Sequence, residues 1–348
     1  MNTLRNGILP RIGTGMALRC YALAALVLCF LTGRARAQGS DGAHSVDNIF
    51  SVARVSPGRW IAVGSKGLVL RSTDDGQTWE RGILRVRSDE ETDVFQDLDL
   101  YSVRFSPDFK GGWIGGEDGL IFYSSDGGGT WSRRRVPGLR KNLFRIAPVE
   151  AFHACAVGTD GTLICTSDAG DHWAARKVDQ HIDLYDVAFV GAQGWAVGAF
   201  NTILHSSDGG ANWQLQAGGY SKDRLLDEQA FFAVAFRDGN RGEVAGLAGK
   251  LLLTDDGGRT WRNDGDDSQR PSLFAVSGVW PSIWAAGKHG AIIQHSDGGG
   301  WRTIGLRSAR QDLTDLAVAH NTALAVGLQG TILRTGDSGK TWTSVGAE

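Results

Sequence analysis

The chain has 348 residues, of which 49 are glycine and seven proline without a Gly-X-Y period, so a collagen-like fibre is excluded and many tight turns are implied. Apolar residues make up 42%, with 12 Trp and 14 Phe, which is ample for two ordinary domains or one large all-β domain. A formal charge of −2 excludes the strongly basic balance of a general nucleic-acid binder.

Residues 1–37 read as a secretory signal. Arg5, Arg11 and Arg19 give a basic start, "CYALAALVLCFLTG" (20–33) is the apolar run, and "ARA" (Ala35–Ala37) is a small-residue cleavage site. The run is too short for a convincing membrane span, and the bulky Leu28 before Cys29 makes a poor lipid-attachment site. Residues 38–48 follow as a short linker. Removing the signal takes away five Arg and no acidic residue, leaving 31 basic against 38 acidic residues, net −7. The expected product is an exported, mildly acidic monomer with no remaining membrane span and no affinity for nucleic acid.

From residue 49 onward one pattern recurs. A first strand reads "IFSVARV" (49–55), "LYSVRFS" (100–106), "LFRIAPV" (143–149), "LYDVAFV" (184–190), "FFAVAF" (231–236), "LFAVSGV" (273–279) and "LTDLAVA" (313–319). A second strand such as "WIAVG" or "WAVG" follows, then a two-to-three-residue turn and a third strand such as "GLVLRS" or "NTILHS". An eight-residue box comes next, for example "SSDGGGTW" (124–131), and its Trp begins a fourth strand. The boxes carry Asp74, Asp126, Asp168, Asp208, Asp256, Asp297 and Asp337, and close on Trp79, Trp131, Trp173, Trp213, Trp261, Trp301 and Trp342. The Trp intervals of 52, 42, 40, 48, 40 and 41 residues fit propeller blades. Seven units of four antiparallel strands predict an all-β, seven-bladed β-propeller over 49–346, with no strand lent between the chain ends. On the first strand, small Ser51 and Ala53 flank Val52, which suits blades stacked face to face.

The box reads as a hairpin staple. Its Asp accepts backbone N–H bonds one to three residues on, the Gly two residues later takes a positive φ, and the Ser or Thr two residues before the Asp bonds locally. The carboxylate ladder of a calcium loop and the Lys of a phosphate loop are both missing, so no cofactor or metal is expected. "HSDGGGW" (295–301) is one residue short, which predicts the most distorted box in blade six. Cys155 and Cys165 lie on adjacent strands joined by "TDG"; they form either a cross-strand disulfide or two unpaired thiols.

The boxes match the Asp-box repeat of sialidases and related propellers. The fuller unit "LYDVAFVGAQGWAVGAFNTILHSSDGGANW" (184–213), with its "AVG", "TIL" and box, resembles the photosystem II assembly/stability factor family. That resemblance spans about 49–346 and implies a lumenal or periplasmic propeller that binds proteins while a membrane complex is assembled. An Asp-box glycoside hydrolase is the alternative, and a periplasmic accessory protein of a transporter a third reading. The sialidase pattern fares poorly here: "FRIAP" (Phe144–Pro148) is interrupted by Ala147, Arg145 falls at the variable position of strand one, and Tyr101 and Tyr185 align with packing aromatics. None of the eight His residues has metal-ligand spacing, and no G-x-S-x-G elbow is found.

A non-enzymatic binding role places function on the loops opposite the boxes, where lengths vary. Arg85 and Arg87 in "ERGILRVRSDEETDVFQDLD" (80–99), Arg135, Arg140 and Lys141 in "RRRVPGLRK" (133–141), and Arg224 in "QLQAGGYSKDRLLDEQA" (214–230) are the candidate docking residues.

Overall fold

A computed structural model describes residues 47–82, 84, 86, 97–178, 182–219, 229–264, 270–279, 282–296, 300–304 and 310–346. The expected signal, Asp297 of the short box, and Arg85, Arg87 and Arg224 lie outside the described residues.

Seven four-stranded antiparallel sheets follow one another along the chain. Blade one consists of β1 (Ile49–Ser56), β2 (Arg59–Gly64), β3 (Val69–Ser72) and β4 (Glu80–Gly82), hydrogen-bonded in that order. Six more blades repeat it, with first strands β5 (Leu100–Phe105), β9 (Leu143–Pro148), β13 (Leu184–Val190), β17 (Phe231–Phe236), β21 (Leu273–Val279) and β25 (Leu313–Ala319). Each first strand packs against those of both neighbouring blades, and β25 packs against β1, so the seven close a ring. The architecture is a seven-bladed β-propeller.

Second strands are buried on both sides, and their "WIAVG"-type runs of small and apolar residues follow from that. Fourth strands are two to four residues long and mostly exposed, which leaves little free edge for another chain to extend. Between the blades lie seven apolar clusters, one per seam. The seam between blades seven and one, for example, joins Leu324, Val326 and Ile332 to Ile49, Val52 and Trp79.

Among the described residues no strand is shared across that seam: blade seven is built from 313–344. A polar latch at the turn end of the ring closes it instead. Each link from second to third strand is a tight turn such as Ser65–Leu68, with Leu68 N–H donating to Ser65 O at 3.0 Å. Positive φ at Lys66 (52°) and Gly67 (69°) gives it the hand of a type I′ turn. Its tip N–H points at the residue that precedes the next blade's first strand. Lys66 N donates to Asp99 Oδ1 (3.1 Å), Asp118 N to Asn142 Oδ1 (3.2 Å), and Asp160 N to Asp183 Oδ1 (2.8 Å). Ala248 N donates to Ser272 Oγ (3.2 Å), His289 N to Asp312 Oδ1 (2.7 Å), and Gln329 N to Asn48 Oδ1 (3.0 Å). Blade five has Ala230 at the acceptor position, and there Asn201 Nδ2 reaches Gln229 Oε1 at 3.1 Å. The chain ends therefore meet through the same bond that joins most other blades.

Candidate functional site

The box aspartates lie in the hairpins between third and fourth strands, at the end opposite the latches. Six described boxes share one geometry. The Ser or Thr hydroxyl donates to the Asp Oδ1 at 2.7–2.9 Å and accepts the N–H of the box glycine at 2.8–3.0 Å. The largest contribution comes from the residue four positions beyond the Asp, further along than the expected one to three. Its N–H reaches Oδ1 at 2.9 Å and its side chain reaches Oδ2 at 2.6–2.7 Å. A seven-residue loop brings that residue back over the carboxylate, and a simple Asx-turn would not. These bonds, chiefly from Thr78, Asn212, Thr260 and Thr341, hold Asp74, Asp208, Asp256 and Asp337 at about 2, and His172 holds Asp168 lower still. Every carboxylate oxygen is thus turned inward on its own loop.

Trp79 and Trp131 are buried, and the other five box tryptophans are half-buried. Strand four starts one residue after the Trp; only in blade six, where the box is short, does it start on the Trp itself (Trp301–Ile304). Trp79 and Trp213 donate to a carbonyl of their own turn, Gly76 O and Gly210 O, at 3.2 and 3.0 Å. Trp301 donates instead to Asp264 Oδ2 of blade five at 2.6 Å. Strand register also puts His295 where the other boxes carry Ser or Thr. Asp297 itself lies outside the described residues.

Cys155 and Cys165 are directly opposed in register and bonded, Cα to Cα 4.1 Å. The disulfide sits where other second strands carry Trp113, Trp195 or Trp284, packed against the box glycine of the next blade. A Cβ at Gly210 would lie 2.5 Å from Cys155 Sγ, so this seam admits no side chain there.

The third residue of each first strand faces the ring centre, where an expectation fails. As a small residue Ser51 is expected only to pack, yet its hydroxyl accepts Val103 N–H of blade two at 3.1 Å and donates to Asp315 Oδ2 at 2.8 Å. Ser102 accepts Ile146 N–H (3.2 Å), Asp186 accepts Val234 N–H (2.9 Å) and Asp315 accepts Val52 N–H (3.0 Å). First strands are sheet edges, and these side chains satisfy inner N–H groups that no strand can reach. Arg145 is likewise more than a variable position. Its Nε donates to Asp186 Oδ1 at 2.7 Å, and its Nη1 stands 3.5 Å from Asp315 across the ring. Arg104 binds both oxygens of Asp315 at 3.0 Å. Burial alone would raise the Asp315 carboxyl, but Arg104 and Arg145 hold it at about 2. Both arginines thus have carboxylate partners within the chain.

At the latch end the second residues of the first strands make an aromatic arc: Phe50, Tyr101, Phe144, Tyr185, Phe232 and Phe274, with successive centroids 5.4–5.9 Å apart. Blade seven interrupts it with Thr314, whose hydroxyl donates to Ile49 O at 2.7 Å. Burial pushes the Tyr185 phenol well above its usual range, the opposite of what a nucleophile requires.

Of the docking candidates, Arg135 and Arg140 are exposed and Lys141 is half-exposed, all in the link between blades two and three at the latch end. Arg140 pairs with Asp118 and Lys141 with Asp160, each at 2.7 Å, so both reach turn tips. Among the described residues no group of three or more His, Cys, Asp or Glu could hold a metal, and no helix is long and apolar enough to cross a membrane.

A ring of continuous blades, stapled at one end and presenting variable links at the other, is the class of Asp-box propeller that displays loops on a rigid scaffold. The chain belongs to the family described as Photosynthesis system II assembly factor YCF48, whose model matches residues 43–140, 135–217 and 219–348. The photosystem II assembly lipoprotein Ycf48 of Synechococcus sp. (strain CC9902) is 24% identical over 316 residues, 82% of this chain and 84% of that protein. The fold is similar to YCF48 from Cyanidioschyzon merolae (TM-score 0.66, 21% identity, 84% of this chain and 97% of that one). It is similar also to YCF48 bound to D1 peptide (TM-score 0.65, 20% identity, 84% and 94%). The GH74 xyloglucanase of Xanthomonas campestris shares the fold at 15% identity and TM-score 0.64, over 85% of this chain and 54% of its own.

Proposed function

We propose that this chain is an exported, non-catalytic binding protein that holds a segment of a membrane or envelope complex during its assembly. The observation that carries the reading is the match to an assembly-factor family along nearly the whole described ring, together with a family structure that holds a D1 peptide. Export rests on the signal-like residues 1–37 and agrees with the lipoprotein name of the cyanobacterial relative. Binding is assigned to Arg85, Arg87, Arg135, Arg140, Lys141 and Arg224, of which the described Arg135, Arg140 and Lys141 stand at the latch end. The exposed Arg140–Asp118 and Lys141–Asp160 pairs are worth about 0–1 kcal/mol each, so a partner carboxylate can replace the internal one at little cost.

Calorimetric titration with the D1 peptide tests both parts. Saturable binding is expected, weakened at least tenfold in an Arg85/Arg87/Arg140→Glu variant. A folded wild type that binds no such peptide overturns the partner class, and equal binding by the variant overturns the surface. N-terminal sequencing of the secreted protein checks cleavage after Ala37.

A further inference from the structure

We infer that the ring opens between blades five and six, and not where the two ends of the chain meet. The end-to-end seam is held at three levels. At the axis, Asp315 takes Val52 N–H (3.0 Å) and Ser51 Oγ (2.8 Å). At the box end, Asp75 accepts Thr322 Oγ1 at Oδ2 (2.5 Å) and Arg334 Nε at its carbonyl (2.8 Å). At the latch end, Gln329 N–H meets Asn48 Oδ1 (3.0 Å).

The seam between blades five and six is built differently at two of these levels. At the axis, Ala233 takes the place of Ser51, Asp186 or Asp315 and has no acceptor to offer. In the seam, strand register puts Glu243 where the other six blades carry Ile61, Trp113, the disulfide, Trp195, Trp284 or Leu324. Its residue is 2% exposed, and Arg237 Nη2 stands 3.7 Å away, beyond hydrogen-bond distance. Blade six brings His295 in place of the box hydroxyl, with Nδ1 buried and without a hydrogen-bond partner. Besides the apolar cluster of Ala233, Ala245 and Leu251 with Leu273, Val276 and Ile293, the hydrogen bonds that cross this seam among the described residues are Ala248 N–H to Ser272 Oγ (3.2 Å) and Trp301 to Asp264 (2.6 Å).

The charged neighbours of Glu243 are Arg237 and Asp238 beyond β17 and Asp264 after the fourth strand of blade five, and the His295 ring of blade six stands 3.9 Å from Asp264. Burial is the largest influence and, only partly offset by Arg237, raises the Glu243 carboxyl to about 7. A carboxyl raised in the closed state contributes its full stability below its unfolded value, about 4.3, and loses it as pH rises through 7. Opening therefore becomes easier across that window and levels off above it.

Hydrogen exchange followed by mass spectrometry on the full chain tests this, with rates corrected for intrinsic pH dependence. Peptides from blades five and six are expected to lose protection at least tenfold faster than those from blades seven and one. The gap should widen from pH 5 to 7. Glu243→Leu, which copies the Leu of blade seven, should slow that exchange severalfold, and Glu243→Gln should abolish its pH dependence while folding in either case. Earlier exchange in blades seven and one, or simultaneous exchange of all blades, overturns the inference. Local exchange that ignores pH in the wild type removes Glu243 from it, whether or not the leucine variant folds.

Discussion

Asp315 shows how much a single side chain does in this ring. It is fully enclosed and receives Arg104, Ser51 and Val52 N–H, with Arg145 close by. Replacing one partner of such a buried group strands the others, which costs about 3–5 kcal/mol, whereas replacing the whole set by apolar residues of like volume can be neutral. Asp315→Asn is expected to lower the urea midpoint strongly, because it leaves Arg104 without its carboxylate. The box aspartates act at the surface and more weakly. Their carboxyls are depressed to about 2, so their stabilisation is complete above the unfolded value of about 3.9 and is lost as pH falls through 2. The contribution of these aspartates to the thermal midpoint is therefore expected to be constant above pH 5 and to fall steeply between 4 and 2, which a melting series over pH 5 to 2 checks. These aspartates are visible in the sequence because one letter recurs at a fixed spacing. The latch acceptors are not: Asn48, Asp99, Asn142, Asp183, Ser272 and Asp312 do one job with three residue types, so no letter repeats. Arg104 and Arg145 are harder still to read, since they stand at different strand positions and both approach Asp315 from non-adjacent blades.

The hairpin is the element that sets the tolerances. Gly76, Gly170, Gly210, Gly258 and Gly339 combine positive φ with a wall formed by the preceding blade, and Gly210 (φ +88°) faces the disulfide. Gly210→Ala is expected to destabilise by more than about 1 kcal/mol, because the backbone strain and the contact with sulfur add. Calorimetric melting against Gly138→Ala, a positive-φ position with open space around it, separates the two effects. Turn tips impose only the conformational demand. Gln329 is exposed at φ 55°, so Gln329→Asn or Gly should leave the melting temperature nearly unchanged, while β-branched Gln329→Val should lower it by several degrees. The strand pattern and the hairpin count were readable from alternation and glycine spacing. Short box six was readable as an anomaly, but its His295 in the hydroxyl position shows only once register is known.

On the scale of the whole molecule, every blade is one continuous segment and the end-to-end seam uses the ordinary latch. The position of the chain ends is therefore arbitrary to the fold. A circular permutant cut within 135–142, with the original ends of the ring joined by a linker as long as that eight-residue link, should give the same far-UV spectrum. Its melting temperature should fall within a few degrees of the parent, and a molten product would show that closure needs the native ends. Six of the seven turn tips share a further property. The latch holds them through a backbone N–H, so the exposed side chains of Lys66, Asp118, Asp160, Ala248, His289 and Gln329 take no part in that bond. They stand around the channel mouth like digits on a combination dial. The number they spell can be rewritten without touching the mechanism of the lock, which gives selection, or an engineer, a circular alphabet of recognition on an invariant frame.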